Sequence, residues 1–316
     1  MPTPPRPPAA DLEVLDPSSV RRRVAVRPGM CGPTTLFASQ LGDWTWETVS
    51  ALCGTDVLRA RDAAGAPAYL AFSYLRIRGA PALQAGRLRF GDRLEVVSRV
   101  FGLGSESVLT LHRLRPDGAG AAAGLEPAEF YEHPDPGSLY VESYNRWVSR
   151  GREESNLGLV RASPPEFRTA HLPVLPERHS PRVPCWHARA YHAFPDTADP
   201  AYLAAHDELR VPYAIDPARD VNGAGLIHFA AYFAIVDGAL ARLFRRRGGD
   251  ARAFLKRRVV DQRVCFLANA EVDARLTVTL RPRRRAGGGE RVEAVVCERG
   301  GGVIAVAAVE LAGEAA

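Results

Sequence analysis

The sequence is almost without lysine: Lys256 is the single one, so the formal net charge of +5 rests on arginine. Such a charge favours acidic partners, a phosphorylated cofactor or an acidic carrier protein among them. With Ala, Gly and Pro also abundant, the arginine bias reads as the mark of a G+C-rich coding genome, and no nucleic-acid partner is expected. Cysteine is sparse as well. Cys31, Cys53, Cys185, Cys265 and Cys297 are odd in number, widely spread and never in a CxxC pair, which excludes a disulfide framework and a thiolate zinc site. His179, His187 and His192 lie near Cys185 with no familiar zinc spacing, so no metal is expected. Long apolar runs are missing too: none approaches the ~18–20 residues that a bilayer helix needs, which argues against a membrane partner. The opening "MPTPPRPPAADLEVLDP" has no apolar core segment and no cleavage signature, so residues 1–18 read as a disordered Pro-rich leader and the location as cytoplasmic.

What is present repeats. The 316 residues suit two cores. "VAVRPGMCGP" leads into "TTLFASQLGDWTWETVSALCG", where Leu36, Phe37, Leu41, Trp44, Val49 and Leu52 form a buried helical face and Gly54 a stop. Gly42 and Asp43 interrupt this face and predict a broken helix. "AYLAFSYLRIRG" reads as a strand, and "RLRFGDRLEVVSRVFGLGSESVLTLHRL" as two more, joined at Gly102 to Gly104. Nearly two hundred residues later the order recurs: "RDVNGAG", the helix "LIHFAAYFAIVDGALARLFRRRG", the strand "FLKRRVVDQRVCFL" and three strands with Gly-rich turns. One long helix wrapped by a curved antiparallel sheet is an α+β layer architecture, and two copies make a double hotdog. The boundaries expected are 19–115 for the N-terminal hotdog and 185–316 for the C-terminal one. Between them, 116–184 reads as a Pro-rich linker packing across both domains, because Tyr131, Tyr140, Tyr144 and Trp147 are too many large side chains to leave in water.

In such a fold the loop before the central helix aims backbone N–H groups and the positive end of the helix dipole at a thioester carbonyl. Gly223 and Gly225 permit close approach of a ligand in the second half, as Gly29 and Gly32 do in the first, or they serve tight turns only. "NGAGLIHFAAYF" resembles the D-x-x-G pattern of the 4-hydroxybenzoyl-CoA thioesterase type, with Gly225 and Tyr232 in register and His228 where that pattern has an aromatic, a packed imidazole. The acidic residue of that type is here Asn222, an amide that donates hydrogen bonds but cannot act as base or nucleophile. Asp220 lies two residues out of register, and Gly29 stands at the equivalent place in the first half. Hydrolysis is therefore disfavoured, and another group must receive an acyl chain. Alternation in "AYLAFSYLRIRG" puts Tyr69, Ala71, Ser73, Leu75 and Ile77 on one face, the one expected to meet the helix. Tyr69 is then either a strand-edge core residue or the acyl acceptor. The run with Arg245, Arg246, Arg247, Lys256, Arg257 and Arg258 is a solvated helix end, or a cradle for nucleotide phosphates.

The blocks "VRPGMCG", "QLGDWTWETVSALC", "YLAF", "GDRLEVVSR", "SESVLTLHR", "SLYVE", "NRWV", "SPP", "RDVNGAGL" and "VVDQ" together resemble the LnmK-type bifunctional acyltransferase/decarboxylases of leinamycin-family polyketide biosynthesis, over nearly the full chain. The resemblance implies a double hotdog that takes methylmalonyl-CoA, decarboxylates it and delivers propionyl to the phosphopantetheine arm of an acyl carrier protein. No resident cofactor is implied. The tyrosine nucleophile of that family falls on Tyr69 in "AYLAF", with Tyr74 five residues on. The alternatives are a hotdog thioesterase or dehydratase and a non-catalytic acyl-binding partner. Hotdog domains commonly pair, so a homodimer is expected.

Overall fold

A computed structural model describes residues 11–84, 86–119, 124–152, 155–199, 201–205, 207–285 and 288–313. The first half builds β1 (Leu12–Asp16), β2 (Ser19–Ala25), α1 (Thr34–Cys53), β3 (Tyr69–Gly79), β4 (Arg93–Gly102), β5 (Ser107–Pro116), α2 (Pro127–Tyr131), β6 (Leu139–Arg150) and β7 (Leu159–Arg161). Helix α3 (Arg182–Tyr191) leads to β8 (Tyr202–Ala204), β9 (Leu209–Ala214), α4 (Pro217–Asp220), α5 (Ala231–Arg246), α6 (Ala251–Lys256), β10 (Val259–Phe266), β11 (Arg275–Arg285), β12 (Glu290–Glu298) and β13 (Val303–Leu311). The chain is a double hotdog. Its strands join into one sheet in the order β1-β2-β4-β5-β6-β3-β10-β13-β12-β11-β8, with β7 on β6 and β9 on β11. The halves meet edge to edge, β3 antiparallel to β10, with Arg78 opposite Asp261 and Tyr74 opposite Cys265.

The long helices α1 and α5 share one apolar core. Phe37, Leu41 and Trp44 of α1 and Phe233, Val236 and Leu240 of α5 bury themselves with Leu75, Ile77, Val264 and Ala307 of the sheet. Contrary to expectation, α1 is unbroken across Gly42 and Asp43. Gly42 is there for packing: a Cβ on it would lie 2.3 Å from Cζ of Phe229. The left-handed C-cap Gly54, φ 72°, ends the helix where the sequence places the stop.

Two boundaries differ from the sequence reading. Within the expected leader, residues 1–10 lie outside the described residues, whereas Leu12–Asp16 is a strand paired with β2. Within the expected linker, Leu139–Arg150 is a strand of the N-terminal sheet, hydrogen-bonded to β3 on one side and β5 on the other. Tyr140, Tyr144 and Trp147 are buried, as so many aromatics require, but as residues of a sheet strand. The flanking segments form an outer layer: Leu125, Phe130, Leu175, Ala188 and Phe194 pack on the sheet face opposite α1 and α5, over Phe101, Leu109 and Tyr140 of the first half and Cys265 and Val306 of the second. No described helix is long and apolar enough to cross a membrane.

Candidate active site

The site exists because β3 and β10 part company. They pair only between Tyr74/Cys265 and Arg78/Asp261. A β-bulge between Phe72 and Tyr74 turns β3 at that point. Beyond it Tyr69–Ser73 and Phe266–Asn269 stand apart as the walls of a slot of about 900 Å³ through the sheet, closed on a third side by Asn222–Phe229. The bulge also reverses the alternation predicted for "AYLAFSYLRIRG". Leu75 and Ile77 face the helices as expected, but so do Leu70, packed with Val49 and Cys53 of α1, and Phe72. Tyr69 and Ala71 therefore point to the outer face, and Tyr69 joins the site from the slot wall, half-buried, instead of entering the core layer. Tyr74 lies beyond the bulge, buried among Tyr144, Phe194 and Cys265 with its pKa pushed up by burial, and it does not line the slot.

On the helix side the slot ends on aromatic rings. Phe229 stacks on Phe72 with ring centroids 3.9 Å apart, and Trp46 meets Phe229 edge-on at 5.8 Å. The Trp46 indole N–H donates to the Leu70 carbonyl at 2.9 Å, holding the open edge of β3 against α1. Tyr232 and Phe266 complete this apolar end.

The loop before α5 is shaped by Asn222. Its side-chain Oδ1 accepts from the N–H groups of Ala224 (3.0 Å) and Leu226 (3.1 Å), and its carbonyl accepts from Gly225 N–H (2.9 Å). The turn requires φ 73° at Gly225, where only glycine is at ease. Gly225 thereby departs from its expected role, because its N–H is spent within the loop. Among the described residues the N–H groups of Gly223, Phe229 and Ala230 have no intramolecular acceptor, and they sit in the loop and at the uncapped N-terminus of α5. Of the three, Gly223 and Phe229 line the slot, and theirs are the donors that the arrangement offers to a carbonyl oxygen. With Oδ1 committed, the Asn222 amide nitrogen is its remaining polar group on the slot.

A clamp from the first half fixes this loop. Arg150 at the end of β6 donates to the Ala224 carbonyl (2.5 Å) and to Asn156 (3.1 Å), and buried Asn156 donates to the Gly225 carbonyl (2.8 Å). Asp220, near the expected carboxylate position, is buried and accepts from the Tyr213 hydroxyl (2.6 Å), Asp216 N–H (2.9 Å) and Arg219 (3.0 Å), so it shapes α4 and does not line the slot.

The structure brings Tyr69, Asn222 and Gly223 together, and it leaves Gly29 and Gly32 away from them. Gly32 lies beside Gly86 on the other side of the pseudo-repeat, and the helix behind it faces Asp237 of α5. Asp237 is largely buried, with its pKa raised by burial against the pull of Arg257 at 2.8 Å and of Thr34, the first residue of α1. A carboxylate and a guanidinium thus pair beside the start of α1. Sequence reasoning missed six polar residues of the slot, Asn156 and Asn269 among them. His228, read as packed, does lie against Phe229 (4.6 Å), yet it lines the slot too, and burial holds its pKa below the ordinary histidine value, so the ring is neutral at pH 7. Arg146, Arg161 and Arg189 were the others, and the one signal for them was an arginine set among the aromatics of "YNRWV". Among the described residues no Asp or Glu lines the slot. Among the described residues no group of three or more His, Cys, Asp or Glu is placed to hold a metal ion.

The family described as the LnmK N-terminal Hot Dog Fold domain matches residues 21–196, more than half of the chain. The chain belongs to this family. The match runs through α1, β3 and β6, so the LnmK-type unit includes the segment that the sequence reading set apart as a linker. Among solved structures, the chain is similar to a 12:0-ACP thioesterase from Umbellularia californica, at 13% identity and TM-score 0.56, with 94% of this chain and 98% of that one covered. It is also similar to an acyl-ACP thioesterase from Bacteroides thetaiotaomicron, at 8% identity and TM-score 0.54, covering 93% and 97%. At these identities the likeness is one of fold, and it extends the LnmK-type half to the whole double hotdog. No curated protein sequence matches the chain.

Proposed function

We propose that the chain is an acyltransferase/decarboxylase that converts methylmalonyl-CoA to propionyl on the phosphopantetheine arm of an acyl carrier protein. The observation that carries this reading is the amide of Asn222 at the hydrolytic position of a slot that no described Asp or Glu lines. Its loop holds an amide at the hydrolytic position, so the slot lacks the general base or nucleophile of the thioesterase pattern. Among the described residues it also holds no charge that would repel a substrate bearing its own carboxylate.

In the covalent route the Tyr69 oxygen attacks the thioester carbonyl, the C–S bond breaks and coenzyme A leaves as the thiol with the phenol's proton. Neutral His228, on the same slot, is the imidazole that relays this proton. The bond from the α-carbon to the carboxylate then breaks, carbon dioxide departs and its electron pair passes to the carbonyl oxygen as an enolate. The N–H groups of Gly223 and Phe229 are the donors for that oxygen. Protonation at the α-carbon gives a propionyl ester. Attack by the carrier thiol releases the tyrosine and completes the transfer. A homodimer and a cytoplasmic location belong to the same reading.

The second reading is hydrolysis or dehydration of an acyl-CoA or acyl-ACP. The two solved structures described above are acyl-ACP thioesterases by name, which favours it, and Asn222 stands against it. A third reading is non-catalytic acyl binding. Incubation with methylmalonyl-CoA, with and without a phosphopantetheinylated carrier, followed by mass analysis of all species, separates them. Propionyl on the carrier supports the first, free acid the second, and absence of turnover leaves a binding module. Wild-type transfer by Tyr69→Phe removes the tyrosine from the mechanism.

A further inference from the structure

The outer mouth of the slot carries three guanidiniums on one side of the sheet. Tyr69 of β3 is opposite Val148 of β6, which is opposite Arg161 of β7, and Ala71 is opposite Arg146. Side chains directly opposite one another share a face, so Arg146 and Arg161 stand on the face of Tyr69. Two strand spacings place the backbones of Tyr69 and Arg161 about 10 Å apart. Arg189 reaches the same slot from α3, the helix laid over this face. Arg146 donates to the Tyr144 hydroxyl (2.8 Å) and Arg189 to the Leu267 carbonyl (3.3 Å), both neutral acceptors. Among the described residues none of the three is in a salt bridge, whereas two of the residues read from sequence as a phosphate cradle are compensated. Arg247 is paired with Asp207 (2.6 Å) and Glu290 (2.7 Å), and Arg257 with Asp237 (2.8 Å). Three guanidiniums in one wall with no described acidic partner suit an anion.

We infer that Arg146, Arg161 and Arg189 form a single phosphate site that holds the phosphopantetheine arm of donor and acceptor in turn. The inference rests on the transfer reaction proposed above. In that reaction coenzyme A delivers an acyl group and the carrier protein removes it, and the only structure the two share is a pantetheine arm ending in phosphate. The slot fits this sequence. Its carbonyl-binding N–H groups and aromatic rings are at the helix side, Tyr69 is in the wall, and the guanidiniums are at the outer mouth, so an arm threaded through it meets them in that order. Bidentate guanidinium contacts suit a phosphate dianion. The substrate's own carboxylate has to shed its charge at the reacting carbon, which is no task for three arginines at the entrance.

Calorimetric titration of the full chain with pantetheine and with phosphopantetheine tests the site, since the two differ by the phosphate alone. Phosphopantetheine is expected to bind at least about tenfold more tightly, as one charge-assisted contact supplies. The ratio is expected to fall towards one in the variant Arg161→Gln/Arg189→Gln, with pantetheine affinity unchanged, and to fall also on adding salt. Both arginines are exposed, so the variant keeps its fold. Equal affinities in the wild type, a ratio that survives the substitutions, or no binding of either compound overturns the inference. Kinetics then separate the two sources of the phosphate: the variant is expected to raise KM for both methylmalonyl-CoA and the carrier, and a rise for only one of them refutes the shared site. If transfer occurs without phosphate preference, the site is wrong and the function stands; if preference is found together with hydrolysis, the site stands and the function is wrong.

Discussion

Replacing Gly42 by alanine is expected to lower stability, although alanine is the better helix former. In an exposed helix interior the exchange stabilises by about 1 kcal/mol. At Gly42 the new Cβ would lie 2.3 Å from Cζ and 2.8 Å from Cε1 of Phe229, more than an ångström inside ordinary contact. The ring cannot retreat freely, because it is stacked at 3.9 Å on Phe72 and flanked by Trp46. Overpacking of this kind costs about 1–3 kcal/mol, so the net change is a loss of about 0–2 kcal/mol. Gly238 of α5 is the internal control. It is exposed, helical and has nothing within 4 Å of an added Cβ, so Gly238→Ala is expected to gain most of the propensity term. Urea unfolding of the two variants beside the wild type reads the sign of each change. Because Phe229 forms the end of the slot, Gly42→Ala is also expected to weaken binding of an acyl-CoA, and Gly238→Ala to leave it unchanged. If Gly42→Ala stabilises as much as Gly238→Ala, the ring is not pressed against α1 and the account of how the helix positions the loop is wrong.

Asn222→Asp keeps the Oδ1 acceptor of the turn and places a carboxylate in the slot. It is expected to change stability little and to divert acyl groups to free acid, measured as acid formed per coenzyme A released; transfer with no added acid refutes the reading of position 222. Asn222→Ala orphans two N–H groups and is expected to cost about 1–3 kcal/mol in the same unfolding assay. His112, fully buried between Thr45 (2.9 Å) and Ser98 (2.7 Å), has its pKa pushed down to about 3 by burial, with Arg22 adding to the effect. The folded state takes up its proton only below that value while the unfolded chain does so near 6.5. Its contribution is thus complete above pH 6.5 and is lost at up to about 1.4 kcal/mol per pH unit as pH falls towards 3. His112→Gln is expected to flatten that part of the stability profile, and an unchanged slope places the acid sensitivity elsewhere.

How much was legible in the sequence follows from which physical signals are local. Helical spacing and strand runs declare themselves, so the repeat of loop, helix and strands gave the double hotdog before any coordinates. β6 did not declare itself, because "LYVESYNRWVSR" is covered on both faces and so shows no alternation of apolar and polar residues. The bulge in β3 was equally hidden: nothing in "AFSYL" marks the extra residue, yet it moves Tyr69 from the core face to the outer one. Asn222 and Tyr69 were both singled out, but their meeting in one slot depends on β3–β10 pairing, a contact across nearly two hundred residues. Gly29 and Gly32 rest on analogy between the halves, and the analogy fails because the slot opens beside α5 and neither glycine lines it. The three arginines are invisible singly and acquire meaning only from the rungs β3–β6–β7.

The slot draws its tyrosine and its arginines from the first half and its carbonyl-binding loop from the second, held by Arg150 and Asn156 reaching across. The stretch by which the family is recognised, residues 21–196, therefore owns only one wall of the reaction chamber. A truncated chain ending there would keep Tyr69 and lose the loop whose N–H groups we propose as the carbonyl's donors. Relatives that match over that stretch alone can share the ancestry of this protein without sharing its chemistry, and reassembling two separately expressed halves would be the most direct way to see the chamber come into being.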